Sequence, residues 1–289
     1  LSLVMPFMEI SSFLTGRRGV SLPFSDYCPP FLVHPVWDMA MESVIEHGRS
    51  AKGEYAEWRL KGVEPEGAEP HETFLTHDRE LGRSDAELYG SLRASNRRNI
   101  KKALREGLSV EFSASPDAIR PFYRLHCLTR RNHGRPPQPF AFFKNVASSV
   151  LSAGHGTIAT VRHRNSIVAA AVFFHFGTQV IYKYAASVPR SQVLRPNNLL
   201  LWEALRWFRE RGFGSMNLGR TEAENFGLLR FKRAWGATEG TLAYYRYDLG
   251  KRGFLRKPGQ PGALMPSLLS RLPISLLRLV GRLAYRHMG

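Results

Sequence analysis

Cysteine is nearly absent. Cys28 and Cys127 are the only two in 289 residues, and neither lies in a CxxC or Cys/His spacing. That excludes a disulfide framework, leaves no metal site to expect, and fits a reducing, cytoplasmic setting. No run of eighteen apolar residues occurs, so no membrane-crossing helix is expected. Acidic residues are also scarce: 24 Asp and Glu face 41 Lys and Arg, a net charge of +17. So strong a bias points to an anionic partner, whether nucleic acid, a phosphate-bearing substrate or an anionic membrane surface. Apolar residues are plentiful at 43%, with 18 Phe, 10 Tyr and 5 Trp, which is ample for a packed core and excludes a disordered chain. The length suits one large domain or two of ordinary size.

The opening "LSLVMPFMEISSFLTGRRG" is apolar but broken by Pro6, Glu9 and a basic turn, so it reads as strands and not as a signal peptide. The chain begins at Leu1 without an initiator methionine, and further residues are expected upstream. In the first 80 residues "VMPFMEI" and "RGVSLPF" are strand-like, and "VWDMAMESVIEHG" is a short helix expected to close at Gly48. "EYAEWRL" and "HETFLTH" alternate like half-buried strands. Ser84 and Glu87 form a capping box at the head of one long expected helix that stops at Gly107. From residue 108 the pattern is regular: β-α-α-β-β-β-α-β-α-β, with Pro196 and Gly212 punctuating the helix "RPNNLLLWEALRWFRERG".

Three cationic features stand out. Arg93, Arg97, Lys101 and Arg105 recur every four residues, a stripe roughly 18 Å long at 1.5 Å per residue. It is either a solvated face or a track for an anion that relieves its self-repulsion. In "GLLRFKRAWGA", helical spacing turns Lys232 toward the arc of Leu228, Phe231 and Trp235, while Arg230 and Arg233 lie outside or at its edge. Lys232 then either snorkels past the helix edge or faces a cleft. Beyond Asp248 a basic Gly/Pro-rich linker leads to "PSLLSRLPISLLRLVGRLAYRHMG", where Arg278, Arg282 and Arg286 share one face opposite leucines. Residues 264–289 can lie on an anionic membrane surface or pack on the body of the protein.

The element order from residue 108 is that of the GNAT-like (acyl-CoA N-acyltransferase) fold. The stretch from "YKYAASVPRSQVLRPNN" through "NLGRTEAENFGLLRFKRAWGA" resembles the second half of Fem-type proteins, tandem GNAT-like acyltransferases related to the enzymes that add amino acids to the peptidoglycan stem peptide. "TRRNHGRPPQPFAFF" is similar to a FemAB-related subgroup associated with exopolysaccharide and exosortase loci. The resemblance implies an α/β tandem GNAT-like fold whose first half is truncated at its N-terminus. It implies a partial first half plus connecting basic helix over 1–107, a complete second half over 108–248, and a basic linker with amphipathic helix over 249–289. It further implies amide-forming acyl transfer to a cell-envelope peptidoglycan precursor or exopolysaccharide sugar, with aminoacyl-tRNA or acyl-CoA as the acyl donor. Two departures bear on that donor. The Gly-rich turn with which GNAT enzymes hold the CoA pyrophosphate is replaced by "RSQVLRPNN", and no heptad hairpin matches the arm associated with tRNA.

By the same resemblance Lys232 matches the lysine of the "FK…(F/W)G" segment and would stabilise an oxyanion or a phosphate. Lys183 and Tyr184 end a central strand, where α/β ligands usually sit. Tyr182 and Tyr184 are expected on one face and Lys183 on the other. Tyr184 is either a leaving-group proton donor or a core residue. Arg195, Asn197 and Asn198 stand at a helix start, where one asparagine can cap and the other bind. Arg220 suits a phosphate or carboxylate. Glu224 either favours the next helix's N-terminus or acts as a base. Arg93 and Arg97 complete the expected anion contacts. His126 and His133 suggest no nucleophile–base arrangement. CoA-dependent N-acetylation and non-catalytic polyanion or membrane-surface binding are the competing functions; a pyrophosphate-bearing substrate is the expected anion.

Overall fold

The computed structural model describes residues 3–32, 37–82, 84–256 and 269–288. A two-stranded sheet pairs β1 (Leu3–Val4) with β4 (Phe31–Leu32). The main sheet starts with the hairpin of β2 (Met8–Ser12) and β3 (Gly16–Val20), and continues with β5 (Tyr55–Leu60) and β6 (Glu72–Glu80). Helix α1 (Trp37–Ser50) joins β3 to β5. Later strands are β7 (Leu108–Ser113), β8 (Gly156–His163), β9 (Ser166–Phe176), β10 (Gln179–Ser187), β11 (Ser215–Asn217), β12 (Thr238–Asp248) and β13 (Gly253–Phe254). The order across the sheet is β2-β3-β5-β12-β6-β11-β10-β9-β8-β7, with β13 beside β12.

Outward from the β12–β6 pair, the pairing pattern reads the same on both sides as far as β2 and β9. β3 and β5 are parallel, as are β10 and β11; every other neighbouring pair on that path is antiparallel. Each parallel pair is bridged by a helix, α1 in one case and α6 (Pro196–Arg209) in the other. The central strands are exchanged. Early strand β6 lies between the late strands β12 and β11, and late strand β12 lies between the early strands β5 and β6.

Helices cover both faces of the later strands. α3 (Ala94–Arg105) and α6 pack Ile100, Leu199, Leu205 and Phe208 on Ala159, Val161, Ala171 and Phe173. α4 (Ile119–Asn132) and α5 (Phe140–Val146) pack Phe122 and Phe143 on Ile158, Ala170 and Val172. The run "SIVAAAVFF" in β9 is therefore apolar on both sides, as a strand between two helix layers must be. The β-α-α-β-β-β-α-β-α-β order expected from residue 108 is found, closed by α7 (Phe226–Arg233) before β12. Among the described residues, no helix is long and apolar enough to cross a membrane.

Several expectations are corrected. α1 passes through Gly48 to Ser50; a Cβ there would stand 2.9 Å from Leu249, so the glycine serves close packing and not helix termination. The strand in "RGVSLPF" stops at Val20, after which Leu22 and Phe24 take positive φ. β5 is buried on both faces and does not alternate, because α1 covers one side and loops the other. The long helix of 85–107 is two, α2 (Asp85–Gly90) and α3, although the capping box of Ser84 and Glu87 forms as expected. The break docks on the end of α7: Arg93 N and Asn96 Nδ2 both donate to Ala234 O. Arg93 is consequently off the α3 stripe, and Arg97 donates to Gly90 O at the end of α2. The linker between 257 and 268 and the side chain of Arg286 lie outside the described residues.

Candidate active site

The site begins where two strands part. β10 and β11 pair only from Gln179–Ile181 to Ser215–Asn217. Asn217 then ends β11. Its Oδ1 accepts Gly219 N at 2.8 Å, and its Nδ2 donates to Thr76 Oγ1 and Asp78 Oδ1, both at 2.8 Å. Gly219 turns the chain with φ +77°, a conformation that costs a glycine little. β10 runs on to Ser187 without β11 beside it. A cleft of about 630 Å³ fills the gap, lined among others by Tyr182, Ser187, Asn197, Leu228 and Phe231. The Ser187 hydroxyl accepts Gln192 Nε2 at 2.6 Å and Asn197 Nδ2 at 3.3 Å. With both lone pairs engaged, its proton is directed elsewhere.

The cleft continues into a second chamber of about 320 Å³, lined by Arg130, Arg135, Arg220 and Glu222; His133, Asn225 and Leu228 line both. Partial burial first, and then the charges of Arg130 and Arg135, lower the His133 pKa, so the ring is neutral near pH 7. Arg220 separates this chamber from a third of about 360 Å³, which also holds Arg18, Arg59, Arg246, Glu57 and Glu72. The Arg220 guanidinium donates to Tyr244 OH at 2.9 Å and lies 4.4 Å over the Phe74 ring. Burial raises the Glu57 pKa, but Arg59 at 2.9 Å and Arg246 at 2.6 Å more than reverse this and keep it ionised.

Lys232 is 4% exposed and sits beneath the 219–220 turn. Its Nζ donates to Gly219 O at 2.6 Å and Arg220 O at 3.2 Å. Burial brings its pKa down to about 8, against the opposing pull of Asp26. Asp26 grips the same turn from outside. Its Oδ2 accepts Arg220 N at 3.2 Å, its Oδ1 accepts Lys183 Nζ at 3.0 Å, and its main-chain O accepts Tyr244 OH. Burial raises the Asp26 pKa, but Lys183 and Arg220 outweigh it and the net shift is downward. Sequence reasoning passed over Asp26. Its only signal is a lone acid in "LPFSDYCPP", and its partners Lys183, Arg220 and Tyr244 lie 157, 194 and 218 residues away.

Tyr182 and Tyr184 do not share a face. The β9–β10 register shifts between them, and the bulge at Lys183 reverses the alternation. Tyr182 lines the cleft, while Tyr184 packs among Phe122, His126, Phe142 and Phe143 on the other side of the sheet. Asn197 lines the cleft; Asn198 is buried and donates to Asn96 Oδ1 at 3.1 Å. Arg195 is exposed at φ 62° ahead of α6, outside the cleft lining. Glu224 is exposed and also outside it, and Asn225 caps α7 by accepting Leu228 N at 3.2 Å. Arg93 and Arg97 line none of the three chambers. Among the described residues, no three His, Cys, Asp or Glu gather to hold a metal ion.

Residues 90–233 match the family described as an acetyltransferase (GNAT) domain. Among curated proteins the chain is similar to a Lipid II:glycine glycyltransferase of Staphylococcus haemolyticus (strain JCSC1435), at 20% identity over 246 residues, covering 61% of this chain and 58% of the relative. The chain thus spans less than two thirds of that relative's length. Among solved structures it is similar to FemX, with a TM-score of 0.59 at 15% identity over 86% of this chain and 89% of that one. It is equally similar to L-PGS from Bacillus licheniformis, with a TM-score of 0.59 at 12% identity over 97% and 87%. At such identities the structural likeness speaks for the fold.

Proposed function

Taking as premise that this chain is an acyltransferase with a GNAT-like fold, we propose that it transfers an acyl or aminoacyl group to an amine of an anionic cell-envelope precursor, forming an amide. The observation that carries this is the continuity of the strand-parting cleft with the arginine-lined second chamber, across Arg220 from the third. The cleft suits the donor's acyl end; Arg130, Arg135 and Arg220 suit the phosphate or carboxylate groups of the acceptor. The relative named for lipid II supports a peptidoglycan precursor as acceptor; an exopolysaccharide sugar is the alternative acceptor.

The residues divide the work as follows. The neutral His133 ring takes the proton of the attacking amine at the junction of cleft and chamber. As the C–N bond forms, Ser187 Oγ–H donates to the oxyanion. Tyr182, whose burial keeps its hydroxyl protonated, returns a proton to the donor's leaving group as the bond to the acyl carbon breaks. Lys232 and Asp26 act through the turn: held from both sides, it keeps Arg220 at the chamber wall. Aminoacyl-tRNA and acyl-CoA both remain donors to test. The start of α6 favours the former over a CoA pyrophosphate held in the usual way. Pro196 has no N–H to offer, and the N–H groups of Asn198 and Leu199 are engaged by Arg195 O.

The test is a screen of both donors against amine acceptors with and without a pyrophosphate, read by mass spectrometry. An amide product that forms faster with the phosphorylated acceptors is the expected result. A folded protein that gives no product, yet binds any polyanion with a steep salt dependence, would make it a binding protein instead.

A further inference from the structure

Helix α8 (Ile274–Ala284) is apolar on two sides, and among the described residues only one is covered. Leu277 and Gly281 face the body of the protein and are buried. A Cβ on Gly281 would lie 2.0 Å from Pro137 O, so the glycine lets the helix sit directly on that backbone. Tyr285 stacks on Phe24 at 4.9 Å, and Arg278 lies over the Tyr123 ring. His287 O accepts Arg18 Nη2 and Thr15 Oγ1, both at 3.0 Å, which ties the end of the segment to the β2–β3 turn.

With that side fixed, Leu276, Leu279 and Leu283 project outward at 42%, 50% and 55% exposure. Their spacing of three and four puts them in one stripe. The stripe leads toward the β2–β3 turn, where Phe13 is 81% and Leu14 64% exposed; the Phe13 ring meets His287 edge-on at 4.8 Å. Arg278 and Arg282 are exposed along the same helix, and Arg271 is exposed in the turn before it. Arg278 and Arg282 also line a groove of about 520 Å³ with Pro139, Phe140 and Ala141. Apolar side chains edged by arginines match a surface that offers hydrocarbon and negative charge together. A second copy of the same face would set arginine against arginine. The far end of the strip has a further neighbour, since His287 and Met288 line the third, arginine-rich chamber.

We infer that this strip seats the protein on an anionic lipid bilayer, so that a membrane-anchored acceptor meets the third chamber with its phosphate-bearing headgroup. The identity of the acceptor rests on the reading above; the docking face does not. The test is co-sedimentation of the full chain with phosphatidylcholine vesicles with and without phosphatidylglycerol. Binding should require the anionic lipid, and Leu279→Asp/Leu283→Asp and Phe13→Ser/Leu14→Ser should each weaken it by about tenfold or more with the melting temperature unchanged. A Leu279→Trp variant should blue-shift on binding and be quenched by brominated lipid. The inference fails if both double variants bind vesicles like the parent, if the parent does not bind, or if sedimentation velocity shows a dimer that the leucine substitutions dissociate. Vesicle binding without amide formation would sink the chemistry and keep the docking face. Amide formation on a soluble amine without vesicle binding would do the reverse.

Discussion

A lysine and an aspartate hold one turn between them, and their titrations differ in sign. Lys232 has a folded-state pKa of about 8 against an ordinary 10.5. Below pH 8 both folded and unfolded chains carry the ammonium, and the cost of burying it is present in full. Between pH 8 and 10.5 the unfolded chain binds the proton that the folded one has lost, so the lysine's contribution to stability improves as pH rises. The stability of the parent relative to Lys232→Met should therefore increase across that window, as measured by urea unfolding at stepped pH. Turnover should fall in the variant at every pH, because Gly219 O and Arg220 O lose their donor. Asp26 behaves oppositely. Its folded pKa lies below the usual 3.8, so its contribution is present above that pH and is lost as pH falls through the folded value. Asp26→Asn leaves Lys183 half-enclosed without its carboxylate and should cost about 3 kcal/mol at pH 7. The difference from the parent should shrink in acid unfolding toward pH 3.

At the scale of elements, the 217–221 turn and the α2 cap give a matched pair of substitutions. A Cβ on Gly219 would meet Asp26 Oδ2 at 3.4 Å with φ at +77°. Gly219→Ala should cost about 1–2 kcal/mol and lower kcat/KM disproportionately. Ser84→Ala removes half of a capping box far from the cleft and should cost about 1 kcal/mol with kcat/KM unchanged. Thermal unfolding beside steady-state rates checks both. The elements that could be read in advance were those with strong local signals: the Ser84 box, Pro196 and Gly212 around α6, and the three successive strands β8, β9 and β10. What escaped was set by partners distant in sequence. The bulge at Lys183 has no local mark, yet it carries Tyr184 into an aromatic core and leaves Tyr182 at the cleft. The inward aim of Lys232 was legible from helical spacing. That it reaches two carbonyls of a turn, and that Asp26 closes that turn from the other side, depends on a pairing of early and late strands that no local pattern encodes.

At the scale of the whole molecule, the exchange of β6 and β12 makes the two halves interdependent. A fragment of residues 84–289 lacks the strand that separates β11 from β12, and it should be insoluble or molten alone. Supplying residues 1–82 in trans during refolding should recover the native near-UV circular dichroism signal; a cooperative unfolding transition in the isolated fragment would contradict this. The same exchange has a consequence for synthesis in the cell. β5 takes Ala243 opposite Leu60, so it waits for a partner made about 180 residues later. At roughly 5–20 residues per second, that is a delay of about 10–40 seconds on the ribosome. During that interval a strand that presents Ala56, Trp58 and Leu60 on one face has one unpaired edge. The nascent chain is therefore a natural client for a ribosome-associated chaperone, and its yield should depend on translation speed between β6 and β12 more than on any codon outside that span.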